Sequence, residues 1–222
     1  PSLSATNTFA VYVRSSRPNV VVVVTDDHGF GDISAHGGPA ATPNFDRLGS
    51  EGIRLERFYA TPVCSVTRSS LLTGRNPVRT QVNNARGLDL GEHTIAQAFK
   101  SAGYQTYLCG KWHLGGLYNT KSNVVINGVT YPVVREGADY QPQNRGWDVH
   151  YGQYTGAINY STHVSQEFGQ PDWWLNGQAS GDAGWSTDLL ADKAIQLLRD
   201  RDPSRPAILY LAFNAMPDRK ST

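Results

Sequence analysis

The chain has 222 residues, with 20 Lys and Arg against 19 Asp and Glu, a formal net charge of +1. So even a balance argues against a basic nucleic-acid-binding domain, and a charged fraction of 18% with 22 Gly and 12 Pro is unlike a coiled coil or helical bundle. Two cysteines exclude a disulfide-dense scaffold and a Cys-only zinc site, and no apolar run reaches the ~18 residues of a membrane span.

Asn19 to Val24 is the first strong signal. A continuous β-branched run after Pro18 predicts a strand buried on both faces. It ends in Thr25-Asp26-Asp27-His28-Gly29. Two acids at the end of a buried strand are costly unless paired or bound to a cation, and that end of an open α/β sheet is where ligands sit. Thr42-Pro43 opens a short helix through Phe45 and Leu48, with Gly49 and Gly52 at its end. Alternation over Ile53 to Tyr59 predicts a short strand. A helix starting between Cys64 and Thr67 runs through Leu71-Leu72 to Gly74.

A capped helix follows over His93 to Gly103, then a strand over Tyr104 to Cys109 that leads into Gly110-Lys111-Trp112-His113. Residues 115–185 read as long loops, with a hairpin at Asn127-Gly128. Asp188 to Arg199 is amphipathic and helical, and Ala207 to Phe213 is a second buried strand. Strands alternating with helices predict an α/β fold, with a mostly parallel central sheet and helices on both faces.

Three polar clusters follow strands or open helices: Asp26 with Asp27, Cys64 with Arg68, and Lys111 with His113. Each also has a bland reading. The acids suit a cap or turn, Cys64 suits a small buried hydrophobe or a disulfide to Cys109, and Lys111 with His113 suits a solvated surface or a core histidine. At the start of a helix, beside Arg68, Cys64 sits where negative charge is favoured.

Taken in order, these pieces resemble the sulfatase family, of the arylsulfatase type, within the alkaline-phosphatase-like superfamily. The carriers are Thr25-Asp26-Asp27-His28-Gly29, Thr42-Pro43-Asn44-Phe45-Asp46-Arg47-Leu48, Cys64 to Arg75, Gly103-Tyr104 and Gly110 to Gly115. Arg145-Gly146-Trp147-Asp148 and Ile208 to Ala212 fit the same pattern. The resemblance runs from about Arg17 to Phe213. It implies residues 17–222 as an incomplete N-terminal catalytic domain, its C-terminal part missing, and residues 1–16 as an extension.

The resemblance also implies a chemistry: hydrolysis of an aryl or carbohydrate sulfate ester. Cys64 is converted to formylglycine by a separate formylglycine-generating enzyme, and one hydroxyl of the hydrated aldehyde attacks sulfur. A divalent cation, calcium, is held by Asp26, Asp27 and residue 64. Arg68 steadies the diol, Lys111 binds the sulfate oxygens and His113 moves the proton. A phosphonate or phosphate diester hydrolase of the same superfamily is the alternative chemistry, and a truncated non-catalytic remnant is the alternative from another class. Secreted, periplasmic or lysosomal placement is implied by the family alone.

The sequence departs from the family at Val66 and Thr67, where the modification signal has Pro or Ala and then Ser. It also lacks a His in the tail after Phe213, where Asp218 is the remaining acid. In the loops, His150, His163 and the aromatic groups Trp147, Tyr151, Tyr154, Tyr160, Trp173, Trp174 and Trp185 are candidate substrate contacts or simple packing.

Overall fold

The computed structural model describes residues 17–83, 86–115 and 120–214. The tail with Asp218 and the extension over residues 1–16 lie outside the described residues. The chain runs β1 (Val20–Val24), α1 (Pro43–Glu51), α2 (Cys64–Thr73), α3 (Pro77–Thr80), α4 (Ile95–Ser101) and β2 (Gln105–Gly110). It continues with β3 (Thr120–Ile126), β4 (Val129–Arg135), β5 (Val149–Gly152), β6 (Trp174–Leu175), β7 (Gln178–Ala179), α5 (Ser186–Asp200) and β8 (Ala207–Ala212).

The main sheet has the order β1-β8-β2-β5-β6-β7. Its first four strands are parallel, and β6 and β7 add antiparallel. Alternate residues of β2 and β8 point to opposite faces, as a period of two requires. Leu108, Tyr210 and Ala212 join Leu72 of α2 and Ala96 of α4 in one core. Tyr107, Cys109 and Leu209 join Leu190 and Ala194 of α5 in the other. Helices therefore cover both faces of a mostly parallel sheet, as the alternation predicts.

β1 differs from expectation. Val22 and Val24 pack on the first core, but Val21 and Val23 are 51% and 48% exposed. β1 is the edge strand, and α5 packs on β2, β5 and β8 rather than reaching it. The stretch Ile53 to Tyr59 forms no strand and is exposed throughout. Among the described residues its alternation has no surface to bury against.

The region 115–185 is more ordered than a loop reading allows. The Asn127-Gly128 turn joins β3 and β4, which pair antiparallel from Ile126 opposite Val129 to Thr120 opposite Arg135. Asn127 and Gly128 both take positive φ, at 50° and 80°, as a type I′ turn requires. β5, β6 and β7 are too short to leave a periodic signal and exist because they extend the sheet edge. Cys64 and Cys109 are both free, so the disulfide reading fails.

α4 starts with a full capping box. Thr94 Oγ1 accepts from Gln97 N–H at 3.2 Å, and Gln97 Oε1 accepts from Thr94 N–H at 2.8 Å. The same hydroxyl donates to Arg145 O at 2.8 Å. Arg145 Nη2 in turn donates to Asp89 O and Glu92 O, and Asp148 accepts from Thr106 N–H at 2.9 Å. The Arg145 to Asp148 segment is thus a clamp between α4 and β2. Thr94→Ala removes a cap and orphans a buried carbonyl, so it should lower stability by about 1–2 kcal/mol, read as a reduced urea midpoint at unchanged slope.

Candidate active site

β1 and β2 deliver their polar residues at the carboxyl end of the sheet. Lys111 follows Gly110, and its N–H donates to Ala212 O at 2.9 Å. Gly110 has φ 116°, and a Cβ there would lie 1.9 Å from Ala212 O. Only glycine lets β2 turn so close to β8 and send Lys111 inward. Beyond it, Trp112 N–H donates to Gln153 O at 3.0 Å and His113 N–H to Tyr154 O at 3.1 Å. His113 itself sits at φ 53° and Asp27 at φ 51°. Of the six non-glycine residues at positive φ among the described residues, these two border one cavity or touch its lining.

α2 supplies the other wall. Thr67 Oγ1 accepts from Thr61 N–H at 3.1 Å and donates to Thr61 O at 2.9 Å. Those bonds fold the Thr61-Pro62-Val63 approach against the helix. Cys64 is then the first helical residue, as expected from sequence, and Gly74 closes the helix at φ 67°. Thr67 thus has a structural use at the position where the modification signal differs.

The six residues expected to act converge only in part. Cys64 Sγ lies 3.2 Å from His113 Nδ1, across 49 positions of sequence. Arg68 and Lys111 are buried, and both ion-pair with the Asp26 carboxylate. The Arg68 Nη2 to Asp26 Oδ1 distance is 3.6 Å, and Lys111 Nζ donates to Asp26 Oδ2. Arg68 Nη1 also donates to Lys111 O at 3.0 Å and to Tyr210 Oη at 3.3 Å. Burial, with Lys111 and Arg68 nearby, pulls the His113 imidazole down to about 3, so it is neutral at pH 7. The surface reading of Lys111 and His113 does not hold.

Asp26, Asp27, Cys64 and Arg68 line a cavity of 340 Å³ together with His28, Thr61 and Thr67. Two carboxylates suit a hard cation in kind. They fall short in number, because calcium takes about six to eight oxygen ligands. Asp26 is engaged by two cationic side chains, Asp27 is exposed, and among the described residues no three His, Cys, Asp or Glu converge as a metal site. The described residues supply part of a cation shell and do not complete it.

Two neighbours were not singled out from sequence. Tyr210 is a strand residue whose hydroxyl supports Arg68, and nothing in the run of apolar residues marks it. Glu167 accepts from Gly156 N–H at 3.0 Å. A Cβ on Gly156 would come within 2.3 Å of Glu167 Oε1 and 2.9 Å of His113 Cε1, so the two side chains flank one glycine. Burial, with Asp26 and Asp27 acting on it, raises the Tyr160 phenol.

The other aromatic candidates resolve mainly as packing. Trp147, Tyr151, Tyr154, Trp173 and Trp174 are buried, while Trp185 is exposed against Tyr160. His150 is fully buried and stacks on Tyr154, with burial pulling it down to about 3. His163 is buried against Trp173 and lines a different cavity. Neither histidine reaches the Cys64 cavity.

Asp26 holds two buried cations, which sets up a double-variant experiment. Asp26→Asn leaves Lys111 and Arg68 without their carboxylate and should cost about 3–5 kcal/mol in urea unfolding. Adding Lys111→Met should restore part of that loss, because one uncompensated charge is then gone.

Comparison with known proteins places the chain. A model of the sulfatase family matches residues 18–216. Arylsulfatase J of Mus musculus is 31% identical over 217 residues, covering 91% of this chain and 33% of that protein. N-acetylglucosamine-6-O-sulfatase of Bacteroides thetaiotaomicron is 31% identical over 196 residues, covering 87% of this chain and 29% of that protein. A solved structure of a protein in complex with its substrate D-glucosamine-2-N,6-O-disulfate matches with TM-score 0.68 at 29% identity, covering 93% of this chain and 36% of that one. The chain spans about a third of the length of these relatives.

Proposed function

The chain belongs to the sulfatase family, and from that premise we propose that it is the N-terminal catalytic portion of a sulfuric ester hydrolase acting on an aryl or carbohydrate sulfate. The observation that carries this reading is the contact of Cys64 Sγ with His113 Nδ1 at the head of α2, beside Lys111 and Arg68. Similarity to an arylsulfatase and to an N-acetylglucosamine-6-O-sulfatase supports both substrate classes.

Residue 64 acts as formylglycine, made from Cys64 by a separate maturation enzyme. Its hydrate would supply one hydroxyl to attack sulfur and a second to release sulfate by re-forming the aldehyde. The protein's own groups do the rest. His113 Nδ1 faces position 64 and is placed to exchange a proton there. Lys111 provides a compact positive charge for the sulfate oxygens. Arg68, fixed by Lys111 O and Tyr210, holds its guanidinium at the cavity wall. Asp26 and Asp27 are the residues that would hold calcium, whose remaining ligands are not among those described. Residues 17–222 are taken as one incomplete catalytic domain.

Two measurements test the proposal. Mass spectrometry of the Cys64 peptide from the native host should show a loss of about 18 mass units, H2S exchanged for O. An unmodified thiol there defeats the mechanism. Protein carrying the modification should hydrolyse an aryl sulfate faster than a matched aryl phosphate diester, and His113→Ala should slow it by about 10²–10⁴-fold. A dominant phosphodiester rate overturns the sulfatase reading.

A further inference from the structure

The carboxyl ends of β1 and β2 lead into the candidate active site. The amino ends of β1, β8 and β2 open on a separate cavity of 470 Å³, lined by Arg17, Asn19, Gly103, Arg201, Ser204 and Arg205 among others. Strands of five or six residues separate the two cavities by about 15–20 Å. We propose that this second cavity is a non-catalytic site for an oxyanion, a sulfate or phosphate group on a ligand.

Three arginines line this cavity. Arg17 precedes β1, Arg201 caps the end of α5, and Arg205 lies in the turn into β8. Their hydrogen bonds go to backbone carbonyls. Arg17 donates to Ala102 O, and Arg201 Nη1 donates to Leu198 O at 2.6 Å. Arg205 donates from Nε to Gly103 O at 3.2 Å and from Nη2 to Tyr104 O at 3.4 Å. Such bonds fix a guanidinium without neutralising it. Among the described residues none of the three forms an ion pair with a carboxylate. Arg201 Nε is buried and has no hydrogen-bond partner there.

Two features oppose the surplus. The Asp202 carboxylate accepts from Ser204 N–H and Oγ–H at 2.9 and 2.6 Å, bonds that with Arg205 nearby hold it below the usual range. The last carbonyls of α5 add partial negative charge, which Arg201 offsets. One carboxylate against three guanidiniums still leaves a positive pocket. Arginine forks match the tetrahedral oxygens of sulfate and phosphate better than any other side chain. The proposal does not rest on the sulfatase reading, because it holds whether or not Cys64 is ever modified.

The test uses the whole isotope-labelled chain titrated with sodium sulfate and, separately, with a heparin-derived hexasaccharide, followed by amide NMR. Shifts are expected at Gly103, Ser204 and Arg205. Binding at those amides should weaken at least tenfold in Arg201→Ala/Arg205→Ala and should weaken as salt is raised. Ser204→Glu, at an exposed position, places a carboxylate in the cavity without removing an arginine, and should weaken binding similarly if the double variant fails to fold. A hexasaccharide bound tenfold tighter than sulfate assigns the group to a polyanionic chain, while equal affinity assigns it to a free ion. Shifts confined to residues 26–28 and 64–68, or affinity unchanged in the variants, overturn the proposal.

Discussion

One carboxylate organises the carboxyl end of this sheet. Asp26, just past β1, is shared by Lys111, just past β2, and Arg68 on α2. A buried lysine and a buried arginine are each expensive, and here one carboxylate answers both. Their common partner therefore fixes three elements relative to one another. Arg68 extends the link to β8 through the Tyr210 hydroxyl. Cys64 and His113 meet because the helix carrying one and the turn carrying the other are held to the same carboxylate.

The fold was legible where elements are long and periodic. β1, α2, α4, β2, α5 and β8 stand close to where apolar pattern, caps and glycines place them. What failed was information the local chain does not contain. Val21 and Val23 are exposed because β1 ends the sheet, and strand order is a property of the whole chain. Ile53 to Tyr59 alternates with nothing among the described residues to cover it. β5 to β7 are too short for periodicity to reveal. The site was legible differently. Motif order named Asp26, Asp27, Cys64, Arg68, Lys111 and His113, yet no spacing rule says that residues 64 and 113 touch. Glu167 and Tyr210 carried no local mark, since a lone acid in a loop and a tyrosine in a strand have many uses.

The near-zero net charge conceals strong local segregation. Lysine, arginine and aspartate gather at one end of the parallel strands, and three arginines gather at the other. Between the two ends each face of the sheet packs on an apolar core. Each cluster lies beside low-dielectric protein, where a charge exerts more influence than it would in water. A summed charge of +1 therefore says little about what either end attracts.

The hydrogen bond between Arg68 and Tyr210 spans 142 positions of sequence. α2 cannot reach its final setting until β8 has been made. At synthesis rates of 5–20 residues per second, that leaves Cys64 on an undocked segment for on the order of ten seconds. A maturation enzyme that requires extended chain around Cys64 would have to work within that interval. The contact that steadies the finished site thus forms only after a strand 142 positions downstream has been synthesised.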